Sequence, residues 1–487
     1  MPALRTLKHL AICGIMLMNF TNHLIKYEAR QMRRSTTSIL TLLMLSSQLL
    51  AQQLPEELSL EQASRIAIER NLDYRGAIKD IHLAVAKQQQ ARTLGQPKLE
   101  ARISLQHLPE PPALSVPPIN LKLPNPSNPQ SPLSITVPVP EFELAKANAK
   151  RATLTFSVPL YTSGRIENAV KAASLGVRAS DEAARARAAD VVLQVTHAYL
   201  QAVLAQRVEA VQQQALEVVQ AHLKQAEALY KQGIVSQYDV LRAQAELATQ
   251  QKRLTDARNG RELALSLLYN LLNLPQEQQT TLITPLCEVA FTLSYEESVR
   301  AALASSHELR ALQMKSKAQR ALALSAEAEA RPQVLFAVNL ETLTRDLSAV
   351  EPHASLTIGM RWNLFDAGYA KAVAREQREN ADRTDIDRQK LENALALRVK
   401  QALLDMEAAR QGLAAAQRAV DTAQESLRLA RRRFETGMGT SVEMLDAILA
   451  VSQAQIQREQ ALYQMNTAYY TLLRLTNRLL QGLHLTL

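Results

Sequence analysis

Three acidic residues, Asp239, Glu443 and Asp446, have types and spacings that indicate particular chemistry. Asp239 lies three positions after Ser236. Glu443 lies three positions after Thr440. This spacing is typical of a capping box, in which a hydroxyl and a carboxylate bond the first backbone N–H groups of a helix. Asp446 follows Glu443 by three positions, so these two carboxylates share one helix face. Helix capping is a sufficient explanation for the first two acids, and a solvated helix face for the third.

The elements that must position these carboxylates are two similar helix–turn–helix units. Gly233 and Gly437 each stop a long proline-free segment, as glycine does just after a helix end, and 204 positions separate them. We refer to 231–237 and 436–441 as the tip turns. Long helices are predicted over 165–231 and 369–436, and return helices over 237–272 and 441–480. At 1.5 Å per residue, each long helix would extend about 100 Å.

The duplication covers most of the chain. The stretch "LSLEQASRIAIERN" at 58–71 parallels "LSYEESVRAALASS" at 293–306, and each begins a helical segment. We therefore divide the chain into a first repeat, 52–292, and a second repeat, 293–487.

Each repeat also contains two segments in which apolar and polar residues alternate, as in an amphipathic strand. The segments are 99–106, 152–160, 334–341 and 355–364. Their length is close to the roughly 9–11 residues that a tilted strand needs to cross a bilayer. Four strands cannot close a barrel and open edges are not tolerated in lipid, so membrane-spanning strands would require oligomerisation. A half-buried strand of a soluble sheet shows the same alternation.

A proline-rich segment, 107–150, joins the first two of these strands and holds 11 of the 19 prolines. Because proline has no backbone N–H, we expect an extended outer loop that joins neither a helix nor a strand ladder.

Residues 1–51 are predicted to be a leader that contains a secretory signal peptide. Arg33 and Arg34 precede an apolar stretch that ends near Ala51, and Met32 is a possible true start. This segment carries five of the nine formal positive net charges. The basic composition is therefore weak support for nucleic-acid binding. No run of 18 apolar residues occurs, so no transmembrane helix is predicted.

Motifs of catalysis and metal binding are absent from the sequence. It has no P-loop, no HExxH and no GxSxG, and no Cys/His spacing typical of a metal site. We predict that the protein is not an enzyme and uses no metal and no cofactor.

The order of helix, two strands, long helix, glycine turn and return helix, duplicated behind a signal peptide, resembles the TolC-type outer-membrane efflux (outer membrane factor, channel-tunnel) family. The most specific motifs are "PLYTSGR" and "WNLFDAGY" at the strand-to-helix junctions, and "YKQGIVSQYDVLRAQAEL" and "FETGMGTSVEMLDAILA" at the turns. The resemblance implies a mainly α fold with a small transmembrane β part. It implies a homotrimer whose 12-stranded β-barrel in the outer membrane continues as an α-helical barrel across the periplasm.

The implied function is the outer-membrane exit duct of a tripartite efflux system. Such a duct passively exports small molecules from an inner-membrane pump through a periplasmic adaptor protein. Two alternatives stay open: the outer channel of type I protein secretion, and a periplasmic coiled-coil scaffold that never crosses a membrane. The scaffold would explain the helices but not four amphipathic strands at duplicated positions.

The resemblance also implies roles at the tip turns. In the family, acidic residues on the second return helix line the periplasmic entrance, which assigns a gate to Glu443 and Asp446, with Asp239 of the first turn. Three chains would form a ring of carboxylates, and such rings attract cations. The turn residues implied to contact the adaptor are Gly233, Ile234, Val235, Ser236, Gly437, Met438, Gly439 and Thr440. Ordinary turn chemistry is the alternative explanation for them.

The sequence departs from the family pattern at one position. Family members can latch the closed gate with a basic residue just after the second turn glycine, bonded to the Asp of the first turn. Here that position is Gly439. Arg431, Arg432 and Arg433 lie nearby and could substitute, and a solvated basic patch near a helix C-terminus is the alternative.

Overall fold

The computed structural model describes residues 57–109, 113–114, 117–123, 133–139, 142–143, 148–276, 280–344 and 352–485. The predicted leader, 1–51, and the possible start at Met32 lie outside the described residues.

Each repeat contains two short helices, a long helix and a return helix. In the first repeat these are Leu60–Arg70 (α1), Leu72–Thr93 (α2), Arg165–Lys231 (α3) and Gln237–Leu271 (α4). In the second they are Tyr295–Ser305 (α5), His307–Glu327 (α6), Tyr369–Glu435 (α7) and Ser441–Leu475 (α8), followed by Leu479–Gly482 (α9). A 3-10 turn, Ala328–Ala330, follows α6. The long helices both have 67 residues and the return helices both have 35, so the duplication extends to helix length.

The return helices end at asparagines. Asn273 and Asn477 have φ angles of 52° and 56°, in the left-handed region that asparagine tolerates better than most residues. After Asn477, the N–H of Arg478 closes the helix end by donating to the carbonyl of Leu473 at 2.7 Å. The predicted end of the second return helix at 480 was therefore wrong, because Asn477 was not recognised as a stop.

Four strands form one antiparallel sheet. They are Lys98–His107 (β1), Asn148–Tyr161 (β2), Gln333–Thr344 (β3) and Pro352–Arg361 (β4), in the spatial order β4-β3-β2-β1. These strands overlap the four predicted segments, although 362–364 lie beyond the end of β4. Leu154 stands opposite both Ala101 and Leu340. Neighbouring strands therefore present their apolar residues on the same face.

The proline-rich segment contains a short ladder, so the expected extended loop without ladders was wrong. Ile119–Leu123 pairs antiparallel with Leu133–Val137. Pro118 directly precedes the first of these strands and Pro138 directly follows the second. A proline at a strand boundary costs the ladder little, and the number of prolines alone was therefore misleading.

Two further ladders have two residues per strand. Ala113–Leu114 pairs antiparallel with Phe142–Glu143. Glu57–Leu58 pairs in parallel with Thr281–Leu282 within a small unit of its own, to which residues 57–59 and 280–284 belong.

Small side chains dominate the packing between the helices. One buried cluster lies between α7 and α8. It contains Ala402, Met406 and Ala409 of α7, and Met465, Ala468 and Leu472 of α8. Alanine lets helix backbones approach closely, which suits a chain with only 4% aromatic residues. Within the described residues, no helix has an apolar stretch that could span a bilayer.

Candidate functional site

The two tip turns share one backbone conformation and lie against each other. Gly233 and Gly437 both have a φ of 73°, which glycine adopts without steric cost. In the first turn the N–H of Ile234 donates to the carbonyl of Leu229 at 3.0 Å, which closes the end of α3. A Cβ placed on Gly437 would lie 3.4 Å from Cγ2 of Ile234, so the turns of one chain are direct neighbours.

Asp239 forms the capping box of α4. The N–H of Ser236 donates to Asp239 Oδ2 at 3.1 Å, and the N–H of Asp239 donates to Ser236 Oγ at 3.3 Å. The Ser236 hydroxyl also donates to Oδ2 at 2.7 Å. The carboxylate is half-buried and satisfies the start of the helix, the simpler of its two predicted roles.

Glu443 behaves differently, although it occupies the equivalent position in the second turn. Its N–H donates to Thr440 Oγ1 at 3.2 Å, which caps α8. Its carboxylate instead faces Arg433, with Oε2 3.6 Å from a guanidinium nitrogen. Both side chains are exposed, at 58% for the arginine and 45% for the glutamate. The first carboxylate therefore belongs to a cap, whereas the second belongs to an ion pair across the turn.

Gly439 allows Arg433 to lie close to the turn. A Cβ on Gly439 would be 2.9 Å from Arg433 Cβ and 3.1 Å from the backbone nitrogen of Phe434. The N–H of Gly439 donates to the carbonyl of Arg433 at 2.9 Å. A side chain at 439 would clash with Arg433 in this turn. Of the three arginines that could substitute for the missing latch, Arg433 faces Glu443 rather than Asp239.

Asp446 shares an exposed face of α8 with Glu443. The opposite face of this helix is apolar: Met444, Leu445 and Ile448 are buried against Val219 of α3. The packing of that face directs both carboxylates to solvent. The helix therefore brings these two predicted gate acids together, while Asp239 lies on the other hairpin.

The remaining turn residues differ in exposure. Ile234 is 53% exposed and Met438 is 72% exposed. Val235 is half-buried and packs beside Ala226 and Phe434. The turns thus present two apolar side chains to solvent, and a third anchors the first turn to the helices.

His222 is a residue at this site that sequence reasoning missed. It lies on α3 and is 2% exposed, and its Nε2 atom is 2.9 Å from the hydroxyl of Ser441. Burial lowers the pKa of its imidazole to about 4. Val219 and Ala226 flank it at helical spacing and are both buried. That spacing could have revealed the burial of His222, but not a partner 219 positions away.

The described residues contain no group of three or more His, Cys, Asp or Glu side chains that could hold a metal ion.

A duplicated helical hairpin with a tip turn at one end and a shared antiparallel sheet at the other defines a class of membrane channel protein. The chain belongs to the outer membrane efflux protein family, whose sequence model matches residues 63–274 and 299–478. One matched span falls in each repeat. The protein is therefore an outer-membrane efflux channel that extends into the periplasm, and it is not an enzyme.

Solved structures with this fold include two outer-membrane channels and a further outer-membrane protein. The Campylobacter jejuni CmeC channel is 16% identical with a TM-score of 0.70, and the match covers 86% of each chain. VceC from Vibrio cholerae is 15% identical with a TM-score of 0.67, covering 86% of this chain and 95% of that one. The open state of MtrE from Neisseria gonorrhoeae is 19% identical with a TM-score of 0.63, covering 86% and 89%. No curated protein matches the sequence.

Proposed function

We propose that the protein is the outer-membrane exit duct of a tripartite efflux system and acts as a homotrimer. It would receive small molecules from an inner-membrane pump through a periplasmic adaptor and release them passively. The observation that carries this proposal is an exposed apolar sheet face with two open edges, joined to helices of 67 residues.

The sheet needs partners on both sides. Apolar side chains on its edge strands are largely exposed, among them Ile103 at 80% and Leu356 at 70%. The strands β1 and β4 are the outer strands of the sheet. Lipid would cover the apolar side chains, but open edges must be paired there. Three chains would supply twelve strands, enough for a closed barrel.

The acids at the tips would contribute unequally to a periplasmic entrance. Asp239 is engaged in its capping box and Glu443 faces Arg433. Asp446 is exposed on the same face as Glu443. We therefore assign cation attraction mainly to Asp446. The charge of Glu443 is partly neutralised by Arg433, and Asp239 acts mostly as a helix cap.

The exposed apolar side chains of the tips would meet the adaptor. Ile234 and Met438 are exposed on neighbouring turns, and the charged pair Arg433 and Glu443 lies at the second of these turns. Apolar side chains surrounded by polar ones are a common arrangement for docking a protein partner. The backbone of Gly233 and Gly437 and the caps Ser236 and Thr440 would shape this surface.

Ion selectivity in planar bilayers tests the duct and its entrance together. We expect cation-selective pores from the wild type and reduced selectivity from Asp446→Asn. Asp421→Asn removes an exposed carboxylate from α7 and is the matched control. Equal selectivity in both variants would reject the assignment of Asp446, while a soluble periplasmic protein that forms no pore would favour the scaffold.

The cargo is tested in cells. Deleting the gene should sensitise the cells to small toxic compounds if the protein is an efflux duct. Loss of a secreted protein without such sensitivity would instead favour the type I secretion alternative.

A further inference from the structure

We propose that His222 is a positioning residue that ties the first hairpin to the second tip turn of the same chain and so sets how readily the entrance opens. The inference rests on the proposed duct function, because it concerns the entrance of that duct. It adds a residue outside the set of gate acids.

His222 reaches from the first hairpin to the second. Its Nε2 atom lies 2.9 Å from Oγ of Ser441, the first residue of α8, which is itself fully buried. Its ring lies 4.7 Å, centroid to centroid, from the ring of Phe434 near the end of α7. One side chain of α3 therefore touches both helices that flank the second tip turn.

The residues of α3 that flank this histidine make apolar contacts. Val219 packs against Met444 and Ile448, and Ala226 packs beside Phe434. Apolar packing tolerates small sliding movements better than a hydrogen bond with a fixed direction. The hydrogen bond between His222 and Ser441 therefore fixes the position of α3 relative to the start of α8 near the tip.

The packing around His222 in this structure disfavours the charged imidazole. Nδ1 of His222 is buried and has no hydrogen-bond partner among the described residues. The neutral ring that donates from Nε2 to Ser441 Oγ has no hydrogen on Nδ1, whereas the charged ring carries N–H donors at both nitrogens and can pair only one of them, which is costly in a buried site. The groups around the ring are Phe434 from α7, Ser441 from α8, and Asp239 from α4, whose carboxylate partly favours the charged form.

Separating the hairpins would expose the ring to water and remove this cost. Burial lowers the pKa of His222 from 6.5 to about 4 in the packed arrangement of this structure. As pH falls from 6.5 toward 4, separated hairpins would bind a proton that the packed ones do not. Acid should therefore favour separation of the tips, through this residue.

The test compares His222→Gln with the matched variant His197→Gln in bilayers. His197 lies on the same helix, its Nε2 is 3.4 Å from the hydroxyl of Thr471 on α8, and burial also lowers its pKa. The two histidines are about 38 Å apart along α3, so only His222 lies beside the second tip turn. At neutral pH we expect His222→Gln to raise open probability about fivefold, as for the loss of one hydrogen bond, and His197→Gln to leave it unchanged.

The pH profile separates a positioning role from simple packing. Wild type and His197→Gln should open more as pH falls from 6.5 toward 4. In His222→Gln and His222→Phe, the increase in open probability at low pH should be smaller, because the imidazole that binds the proton is gone. Identical profiles in all four proteins would overturn the proposal.

Amide hydrogen exchange tests the role of His222 without requiring a pore. It therefore distinguishes a failure of this proposal from a failure of the proposed duct function. Amide exchange of residues 430–445 is measured on the detergent-solubilised full chain at one pH. Exchange should be faster in His222→Gln than in the wild type or His197→Gln. Unchanged exchange would reject the role of His222 even if pores form. Faster exchange in a protein that forms no pores would reject the duct function but not the role of His222.

Discussion

Arg433 and Glu443 face each other across the second tip turn, with a guanidinium nitrogen 3.6 Å from a carboxylate oxygen. The equivalent acid of the first turn, Asp239, closes a capping box instead. The two repeats therefore use the same position for different purposes. Because Gly439 has no side chain, the arginine can lie against the turn.

Removing the charge of Arg433 should make the entrance more cation-selective. Arg433→Gln leaves Glu443 without its guanidinium partner, so the carboxylate should attract cations more strongly. Reversal potentials in bilayers measure the shift. Stability should change by no more than about 1 kcal/mol, since the pair is exposed.

Arg431→Gln is the control for this change, because it removes the same charge two positions earlier. We also expect Glu443→Gln to reduce selectivity more in the Arg433→Gln background than in the wild type. Equal shifts from Arg431→Gln and Arg433→Gln would show that only net charge matters.

Gly439→Ala should destabilise the second tip turn. The new Cβ would lie 2.9 Å from Arg433 Cβ and 3.1 Å from its carbonyl carbon, and such overpacking costs about 1–3 kcal/mol. Unfolding in urea measures the loss. Gly412→Ala in α7 meets nothing within 4 Å and should stabilise by up to about 1 kcal/mol, because alanine is the better helix former. A loss in both variants would exclude the steric explanation.

Arg474 should be a major stabilising residue between the repeats. Its guanidinium, 11% exposed, lies 2.7 Å from Asp190 of α3 and also bonds Glu308 of α6. Arg474→Gln leaves two carboxylates without their cation, which should cost about 2–4 kcal/mol. Arg410→Gln removes an exposed partner of Glu407 within one helix and should cost less than about 1 kcal/mol. Comparable losses in urea unfolding would contradict this ranking.

The same cluster predicts a dependence of stability on pH. Burial alone would raise the pKa of Glu308, but Arg474 and several hydrogen bonds outweigh it, so the pKa lies below the ordinary 4.5. Its contribution to the free energy of unfolding is therefore present above pH 4.5 and is lost as pH falls through the folded-state pKa. In Arg474→Gln this loss in acid should shrink, and an unchanged acid slope would show that other groups cause it.

Ile103→Lys should prevent assembly in the outer membrane. A lysine on the apolar face costs roughly 2–4 kcal/mol near the middle of a bilayer. Thr155→Lys places the same charge on the polar face, opposite Glu100, and should be tolerated. Trimers in outer-membrane fractions, detected before and after boiling, measure assembly. Normal trimers from Ile103→Lys would contradict the assignment of the apolar face to lipid.

The sequence predicts the helical elements well because its signals there are local. Gly233 and Gly437 end the long helices within a residue or two of the predicted positions. Ser236 begins the first return helix with the predicted capping box. The alternation of side chains along β1 and β2 likewise needs only neighbouring residues. Asn477 was missed as a stop because asparagine takes the left-handed conformation only in some contexts.

What the sequence by itself determined is the duplicated order of helices, turns and strands, since propensity, capping and periodicity act over a few residues. Only the tertiary structure decided that the Asp239 carboxylate closes a cap while that of Glu443 faces Arg433, because these contacts depend on how the chain folds back at each turn. The tertiary structure alone also decided that His222 contacts Ser441. A hydrogen bond between residues 219 positions apart depends on how the helices pack. Local patterns contain no information about that packing.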